Sequence, residues 1–230
     1  MTLEMIILSI ALAVISATFV SLFLKAFYQG KFNKALLLKG VGSLCFVIIG
    51  AISCFTNETS PISLIIFIGL CFGLIGDEVI ALCQVYPKHD TLAFIGGGSF
   101  FVVGHVLYVV ALFLLGEINL IAIVISFAVI VALSLVYEKY RKFLLGDMKI
   151  PLSLYLGIVI FMAAAAIGVF FNRFTLGAGF FALGGILFAV SDNILFAYKL
   201  GEKPRFLQNV ALHAAYYIAQ ILIALSIAWL

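Results

Sequence analysis

Charged residues are scarce in this chain. They make up 10% of its 230 residues, whereas hydrophobic residues make up 66%. A soluble domain usually carries about 25% charged residues, so this chain has too little polar surface to cover itself in water. The composition excludes an ordinary soluble protein and predicts an integral membrane protein. The net charge of +3 is modest, and we expect no nucleic-acid partner.

Paired cysteine motifs are also missing. The four cysteines, Cys45, Cys54, Cys71 and Cys83, form no CxxC pair and lie in or beside apolar runs. We therefore expect small buried thiols and neither a disulfide framework nor a cysteine metal site. No basic segment precedes the first apolar run, which favours a retained transmembrane helix over a signal peptide.

Apolar runs long enough to cross a bilayer, roughly 20 residues each, recur between short polar breaks. No segment alternates as barrel strands do, and backbone groups in lipid must bond internally, so we predict helices. The predicted fold is all-α, a single-domain polytopic bundle of eight transmembrane helices over residues 1–230. The predicted spans are Leu3–Phe23, Ala35–Cys54, Ile62–Tyr86, Leu92–Leu115, Ile118–Tyr137, Leu152–Phe171, Thr175–Tyr198 and Phe206–Leu230.

Basic residues are nearly absent from every second break. The breaks after the second, fourth and sixth predicted helices contain Arg173 alone, together with Glu58 and Glu117. Because basic loops stay in the cytoplasm, we expect a cell-membrane protein with both termini outside the cytoplasm. The other breaks contain Lys25, Lys31, Lys34, Lys88, Lys139, Arg141, Lys142, Lys149, Lys199, Lys203 and Arg205.

Two aspartates occupy matching positions in the two halves of the chain. Asp77 and Asp192 are 115 residues apart, half of the 230-residue length. The step of 28 residues that leads from Asp77 to His105 also leads from Asp192 to Gln220. The spacing predicts two parallel four-helix repeats, residues 1–115 and 116–230, as in some transporters. A chance pairing is the alternative.

Ionisable groups inside a membrane span are costly and usually mark function. At 1.5 Å per residue, Asp77 and Asp192 lie about 13 and 9 Å from the cytoplasmic ends of their helices. Tyr216, Gln220 and His105 lie deeper, and these groups are predicted to surround one cavity in the cytoplasmic half. For a lone aspartate the structural alternative is a hydrogen bond between helices.

The remaining polar residues have two readings each. His105 either carries a proton or is a satisfied buried histidine, and Tyr108 one turn later fits packing with one hydrogen bond. The Tyr216, Tyr217 and Gln220 group either binds a polar head group or ties helices together. Lys39 either meets a phosphate or extends to the interface. His213 and Glu78 are left without an assigned role, and so is Tyr217 apart from its membership of this group.

Several motifs together resemble the YhhN-like lysoplasmalogenase family. In the first half they are Gly69 to Asp77, reading GLCFGLIGD, and Phe100 to Tyr108, reading FFVVGHVLY. In the second half they are Gly184 to Asp192, reading GGILFAVSD, and Tyr216 to Gln220, reading YYIAQ. Pro151, Tyr155 and Met162 resemble the family's pattern in helix six. Lys39 resembles its lysine in helix two, although Gly40 follows where a proline is frequent.

The resemblance implies an enzyme that hydrolyses the vinyl ether bond of lysoplasmalogens. The products are a fatty aldehyde and glycerophospho-ethanolamine or -choline, the partners are the lysophospholipid and membrane lipid, and no metal or other cofactor is required. Asp77 and Asp192 are the implied catalytic pair, with Asp192 as the acid in our working hypothesis. Lys39, His105, Tyr108, Tyr216 and Gln220 are the implied substrate-binding residues.

Two other functions fit the same residues. Parallel repeats and intramembrane carboxylates also occur in transporters or flippases of amphiphiles, although a pair of helices interrupted by glycine or proline is missing here. A lipid-binding protein without catalysis is the third possibility. Head-group preference and oligomeric state do not follow from the sequence.

Overall fold

The computed structural model describes residues 2–56, 60–116, 120–139, 149–200 and 206–230. Within this part of the chain every regular element is helical, which confirms the all-α bundle. The helices are α1 Leu3–Tyr28, α2 Phe32–Thr56, α3 Pro61–Val85, α4 Asp90–Leu115, α5 Leu120–Lys139, α6 Lys149–Arg173, α7 Leu176–Leu200 and α8 Phe206–Ser226.

Seven of these helices are long and apolar enough to cross a membrane, among the residues described. They are all except α5, whose apolar part within this set is the shorter Leu120–Ala132. Large hydrophobic side chains on the outer faces remain exposed, among them Ile10, Phe113 and Phe127. Such a surface suits hydrocarbon and not water, so the chain is a multi-pass membrane protein.

The helix ends follow local sequence signals. The Ser60 hydroxyl accepts a hydrogen bond from the Ser63 amide at 3.1 Å, and Pro61 opens α3 where its missing N–H costs nothing. Gly30 turns the chain between α1 and α2 with φ +71°, a conformation that glycine adopts without strain. Arg173, at the end of α6, donates to the Leu115 carbonyl at the end of α4.

Several predicted breaks are shorter than expected because the helices continue through them. The predicted break at Asn172–Arg173 is helical, and the chain turns at Phe174 and Thr175 instead. Similarly, α1 continues to Tyr28 and α2 begins at Phe32. The orientation argument also used Glu58, Glu117, Arg141, Lys142, Lys203 and Arg205, which lie outside the described residues.

Six helices form a ring. Its order is α2, α3, α4, α6, α7, α8 and back to α2, because each of these neighbours packs against the next. The two remaining helices lie outside the ring, α1 against α2 and α8 and α5 against α6. Exchanging α2 with α6, α3 with α7 and α4 with α8 leaves the ring order unchanged, as a two-fold axis through its centre would.

Individual contacts repeat with the same 115-residue step. A Cβ built on Gly104 would lie 3.1 Å from the Gly69 carbonyl oxygen. The equivalent residues are Ala219 and Gly184, where a Cβ on Gly184 would lie 3.0 Å from the Ala219 oxygen. The α3–α4 and α7–α8 pairs are therefore packed in the same register.

Contacts between the halves repeat as well. Tyr216 donates to the Gly73 carbonyl at 3.2 Å, and their equivalents Phe101 and Phe188 pack edge to face at 5.9 Å. Phe101 and Tyr216 are themselves related by the step and meet at 5.9 Å. A residue that contacts its own equivalent lies beside the axis. These contacts support the proposed duplication of residues 1–115 as 116–230.

Candidate functional site

Asp77 and Asp192 lie at the same depth. Each stands eight residues before the end of its helix, at Val85 for α3 and Leu200 for α7. At 1.5 Å per residue this is about 12 Å from the helix ends. We call this side, where α1, α3, α5 and α7 end, the basic end of the bundle. Both side chains are buried, with 6% and 4% of their surface exposed.

Asp77 is held by an ion pair. The Lys39 ammonium of α2 lies 2.7 Å from Asp77 Oδ1 and also donates to the Asp77 main-chain oxygen at 2.8 Å. Both side chains are almost fully buried. A buried charge is tolerated only when it is paired and hydrogen-bonded, and this arrangement meets that condition for both partners.

Two hydroxyl groups complete the surroundings of Asp77. Ser43 donates to Oδ2 at 2.7 Å, and Tyr217 donates to the same oxygen at 3.1 Å. The two hydroxyl oxygens are 2.9 Å apart. A carboxylate has about four acceptor positions, so the lysine and two hydroxyls leave one for a further donor. All of these contacts are donors to the Asp77 carboxyl group.

Asp192 has a different environment. Tyr155 of α6 donates to Asp192 Oδ2 at 2.7 Å. His105 Nε2 lies 4.0 Å from the same oxygen, beyond hydrogen-bonding distance. Neither ring nitrogen of His105 has a hydrogen-bond partner among the described residues. Among the described residues, Asp192 is bonded to one neutral hydroxyl and pairs with no lysine or arginine.

Both aspartates line one cavity of about 80 Å³. Because a water molecule needs only about 10–15 Å³ on this measure, the cavity has room for several. Polar side chains of α2, α3, α7 and α8 line it, together with Phe23 and Phe27 of α1. Its polar lining residues are Lys39, Asp77, Gln84, Ser191, Asp192, Tyr198, Asn209, His213 and Tyr216. We call this space the central cavity.

A chain of hydrogen bonds crosses the bundle next to this cavity. The Tyr108 hydroxyl donates to Gln220 Oε1, and Gln220 Nε2 donates to the Tyr216 hydroxyl, each at 3.2 Å. Tyr216 in turn donates to the Gly73 carbonyl. Gln220 is fully buried and Tyr108 nearly so. The chain connects α4, α8 and α3 and fixes the hydroxyl that borders the cavity.

The predicted site residues fall into two groups. Lys39, Asp77, Asp192 and Tyr216 line the central cavity together. His105, Tyr108 and Gln220 are buried and do not belong to its lining. The His105 ring packs edge-on against Phe188 at 4.5 Å. Their placement is that of a supporting layer, so contact with substrate remains a prediction for these three.

Several residues at the site had no assigned role from the sequence. Ser43, Tyr155, Tyr217 and His213 all contact an aspartate or line the central cavity. Tyr155 belonged to the helix-six motif, which was the one available signal for it. His213 Nδ1 is bonded to the Asn209 carbonyl at 2.8 Å, so its Nε2 is the ring nitrogen available to a ligand.

Gly40, which departs from the family pattern, is a neighbour of Glu78, which had no assigned role. A Cβ on Gly40 would lie 3.3 Å from Glu78 Oε2. The Glu78 carboxyl therefore occupies space beside α2 that a larger residue at position 40 would need. Its Oε1 is buried and has no hydrogen-bond partner among the described residues.

Histidine, cysteine and carboxylate side chains are dispersed in the described part of the chain. No three of them lie close enough there to hold a metal ion, and the four cysteines are free thiols.

The comparisons with known proteins identify one family. Searches of curated proteins and of solved structures each gave no significant match. The model of the YhhN family matches residues 34–227, a range that contains most of α2, all of α3 to α8 and both aspartates. That range is most of the 230 residues and confirms the resemblance drawn from the motifs: the chain belongs to the YhhN family.

Proposed function

We propose that this protein is a hydrolase of the vinyl ether bond in lysoplasmalogens, with Asp77 and Asp192 as its catalytic pair. The products are a fatty aldehyde and glycerophospho-ethanolamine or glycerophospho-choline. One observation carries the proposal: two buried aspartates line the same cavity, one ion-paired and the other bonded to a neutral hydroxyl. Membership of the YhhN family supports it.

The reaction begins with protonation of carbon. Asp192, in its neutral form, gives its proton to the vinyl carbon remote from the ether oxygen, and the double-bond electrons form the new C–H bond. An oxocarbenium ion results, similar to the cation of glycoside hydrolysis. The Tyr155 hydroxyl holds Asp192 Oδ2 at 2.7 Å, which orients the carboxyl group in the cavity.

Water then captures the cation. Asp77, paired with Lys39, accepts a proton from the attacking water through its remaining acceptor position and stabilises the positive charge. The hemiacetal that forms loses its hydroxyl proton to Asp192 as the bond from carbon to the glycerol oxygen breaks. That oxygen receives the proton from Asp77. Both carboxyl groups end as they began, and one water is consumed.

The central cavity also offers contacts for a phosphate-containing head group. The Lys39 ammonium uses two of its three donors on Asp77, which leaves one for a ligand oxygen. His213 and Asn209 line the same wall. We place the basic end of the bundle at the cytoplasm and both termini outside, in accordance with the distribution of basic residues.

Purified protein in detergent or nanodiscs tests the proposal when it is given lysoplasmenylethanolamine. Release of fatty aldehyde together with an equal amount of glycerophosphoethanolamine is expected. The matched control substrate is the lysolipid with a saturated ether in place of the vinyl ether, which cannot be protonated in this way and should remain intact. Lack of turnover under conditions in which another YhhN protein is active would refute the proposal.

Transport of an amphiphile or cation is a second candidate. The repeated contacts between the two halves support it, since repeats related by an axis along the membrane normal occur in transporters. Uptake of labelled lysolipid into proteoliposomes, driven by a proton gradient and without aldehyde release, would favour transport over hydrolysis.

A further inference from the structure

A second, apolar pocket lies beside the central cavity, between α4 and α6. Its volume is about 120 Å³, and we call it the α4–α6 pocket. It shares Ile80, Phe101 and Leu195 with the central cavity. The residues that characterise it are Phe94, Ile95, Gly98, Val102, Leu152 and Phe196.

The inner end of the pocket reaches a catalytic group of the proposed reaction. Tyr155 lines the α4–α6 pocket, and its hydroxyl donates to Asp192 at 2.7 Å. The Tyr155 ring packs against Phe196 at 5.6 Å. Only the Tyr155 side chain therefore stands between an occupant of this pocket and Asp192, the group proposed to donate the proton.

The outer end of the pocket is open between the helices. Ile95 is 45% exposed, and Ser99 and Pro151 are exposed as well. Gly98 stands eight residues after Asp90, the start of α4, which is about 12 Å from that helix end. In a bilayer this depth lies within the hydrocarbon, whereas Pro151 stands near the start of α6, so we expect the mouth to extend from the membrane interface to the lipid chains.

The 115-residue step relates this pocket to the polar wall of the central cavity. Phe94 corresponds to Asn209, and Gly98 corresponds to His213. Equivalent residues of the two halves thus line a space on each side of Phe101 and Tyr216. The space is polar where Asn209 and His213 line it and apolar where Phe94 and Gly98 line it. An amphiphile with a polar head and one hydrocarbon chain matches this division, and its linking bond would then lie near the aspartates.

We propose that the α4–α6 pocket is the entrance and binding site for the hydrocarbon chain of a single-chain lipid. The head group occupies the polar wall around Lys39 and His213. The orientation of the lipid, with its head group at the polar wall and its chain in the α4–α6 pocket, rests on the proposed function. The pocket holds only the first part of the chain, and the rest extends through the mouth into the bilayer.

A larger apolar groove of about 860 Å³ lies between α5, α6, α7 and α8. It shares no lining residue with the central cavity. A chain lying there is separated from Asp192 by α7 itself, since Asn193 faces the groove and Asp192 faces the cavity. The groove is therefore the competing site in the test.

Gly98 permits a direct test. A Cβ added there would meet no heavy atom within 4 Å and Gly98 lines the pocket, so we expect Gly98→Phe to place its ring in the pocket without displacing the backbone. Val103→Phe is the matched control, because Val103 is 40% exposed on the same helix and lines none of these pockets. Gly98→Leu provides a smaller filling side chain if Gly98→Phe lowers the yield of folded protein.

The probe is lysophosphatidylethanolamine with a diazirine near the head-group end of its chain, an ester-linked lipid that needs no turnover. After irradiation in nanodiscs, mass spectrometry should place its adducts in residues 92–102 and 150–156 of the unmodified protein and of Val103→Phe. In Gly98→Phe we expect these adducts to fall about tenfold, as for a poor fit in a hydrophobic pocket. Equal labelling of Gly98→Phe, or adducts confined to the α5–α8 groove, would overturn the proposal.

The two proposals fail separately. Labelling at α4 and α6 without hydrolysis of any vinyl ether would refute the enzymatic function and leave the chain site standing. Aldehyde release by a protein that is labelled only in the α5–α8 groove would refute the chain site and leave the enzymatic function standing.

Discussion

The Lys39 ammonium binds Asp77 through both the side chain, at 2.7 Å, and the main-chain oxygen, at 2.8 Å. The lysine therefore fixes the position of this stretch of α3 relative to α2 and also supplies the countercharge. Because both charges are buried, removing one of them leaves the other without compensation. Stability and activity can be separated at this pair by single and double substitution.

The variant Asp77→Asn should lose both stability and activity. It leaves a buried ammonium without a countercharge, a change that costs about 3–5 kcal/mol in proteins where it has been measured. We expect the thermal transition temperature in detergent, measured by fluorescence-detected size exclusion, to fall clearly. We also expect no aldehyde release.

The double variant Lys39→Met/Asp77→Asn is the control for that result. It removes both charges and keeps a side chain of similar length at position 39, so we expect most of the thermal stability to return while activity stays absent. An active double variant would show that Asp77 is not part of the catalytic pair.

Asp192→Asn should behave differently from Asp77→Asn. The asparagine carbonyl can still accept the Tyr155 hydrogen bond, and no ammonium in contact loses its partner. We expect a thermal transition close to that of the unmodified protein and a fall in kcat of about 10²–10⁴-fold, the range for loss of a general acid. Retention of full activity would contradict the assignment of Asp192 as the proton donor.

Tyr155→Phe tests whether the hydroxyl positions Asp192. The variant leaves the buried Asp192 Oδ2 without this donor and should cost about 1–3 kcal/mol of stability. If Tyr155 acts by orienting the acid, kcat falls and KM is unchanged. Tyr198→Phe, at another tyrosine of the cavity wall, is the comparison variant, and an equal fall in kcat there would argue against a specific role for Tyr155.

The sequence predicted the helices and put both aspartates in the half of the membrane nearer the basic end, because these features depend on position along a helix axis. The predicted depth of Asp192, about 9 Å, was too shallow because α7 continues to Leu200, and the duplication of the two halves stays a prediction. Which residues share a wall depends also on the rotation of each helix and on how it crosses its neighbours. His105 has a suitable depth, yet its ring points at Phe188 and not into the cavity. Ser43 and Tyr155 are ordinary hydroxyl residues in apolar helices until packing brings them to an aspartate.

The contrast between the polar wall of the central cavity and the apolar α4–α6 pocket could not be predicted from the sequence for the same reason. Phe94 and Gly98 carry no signal of a site by themselves, and they become informative only as equivalents of Asn209 and His213. That comparison needs the 115-residue step from the sequence and the ring of helices from the structure together.

Gly97 and Gly98 are adjacent in α4 and should respond in opposite ways to alanine. A Cβ on Gly97 would lie 2.8 Å from the Gly76 oxygen and 2.9 Å from the Ile80 nitrogen, both backbone atoms of α3. Since two packed helices cannot easily move apart, Gly97→Ala should destabilise the protein by about 1–3 kcal/mol. Gly98 has open space at this position, so Gly98→Ala should be neutral or gain up to about 1 kcal/mol from helix propensity. Thermal unfolding of the two variants in one detergent measures the difference, and equal transition temperatures would contradict the close crossing of α3 and α4.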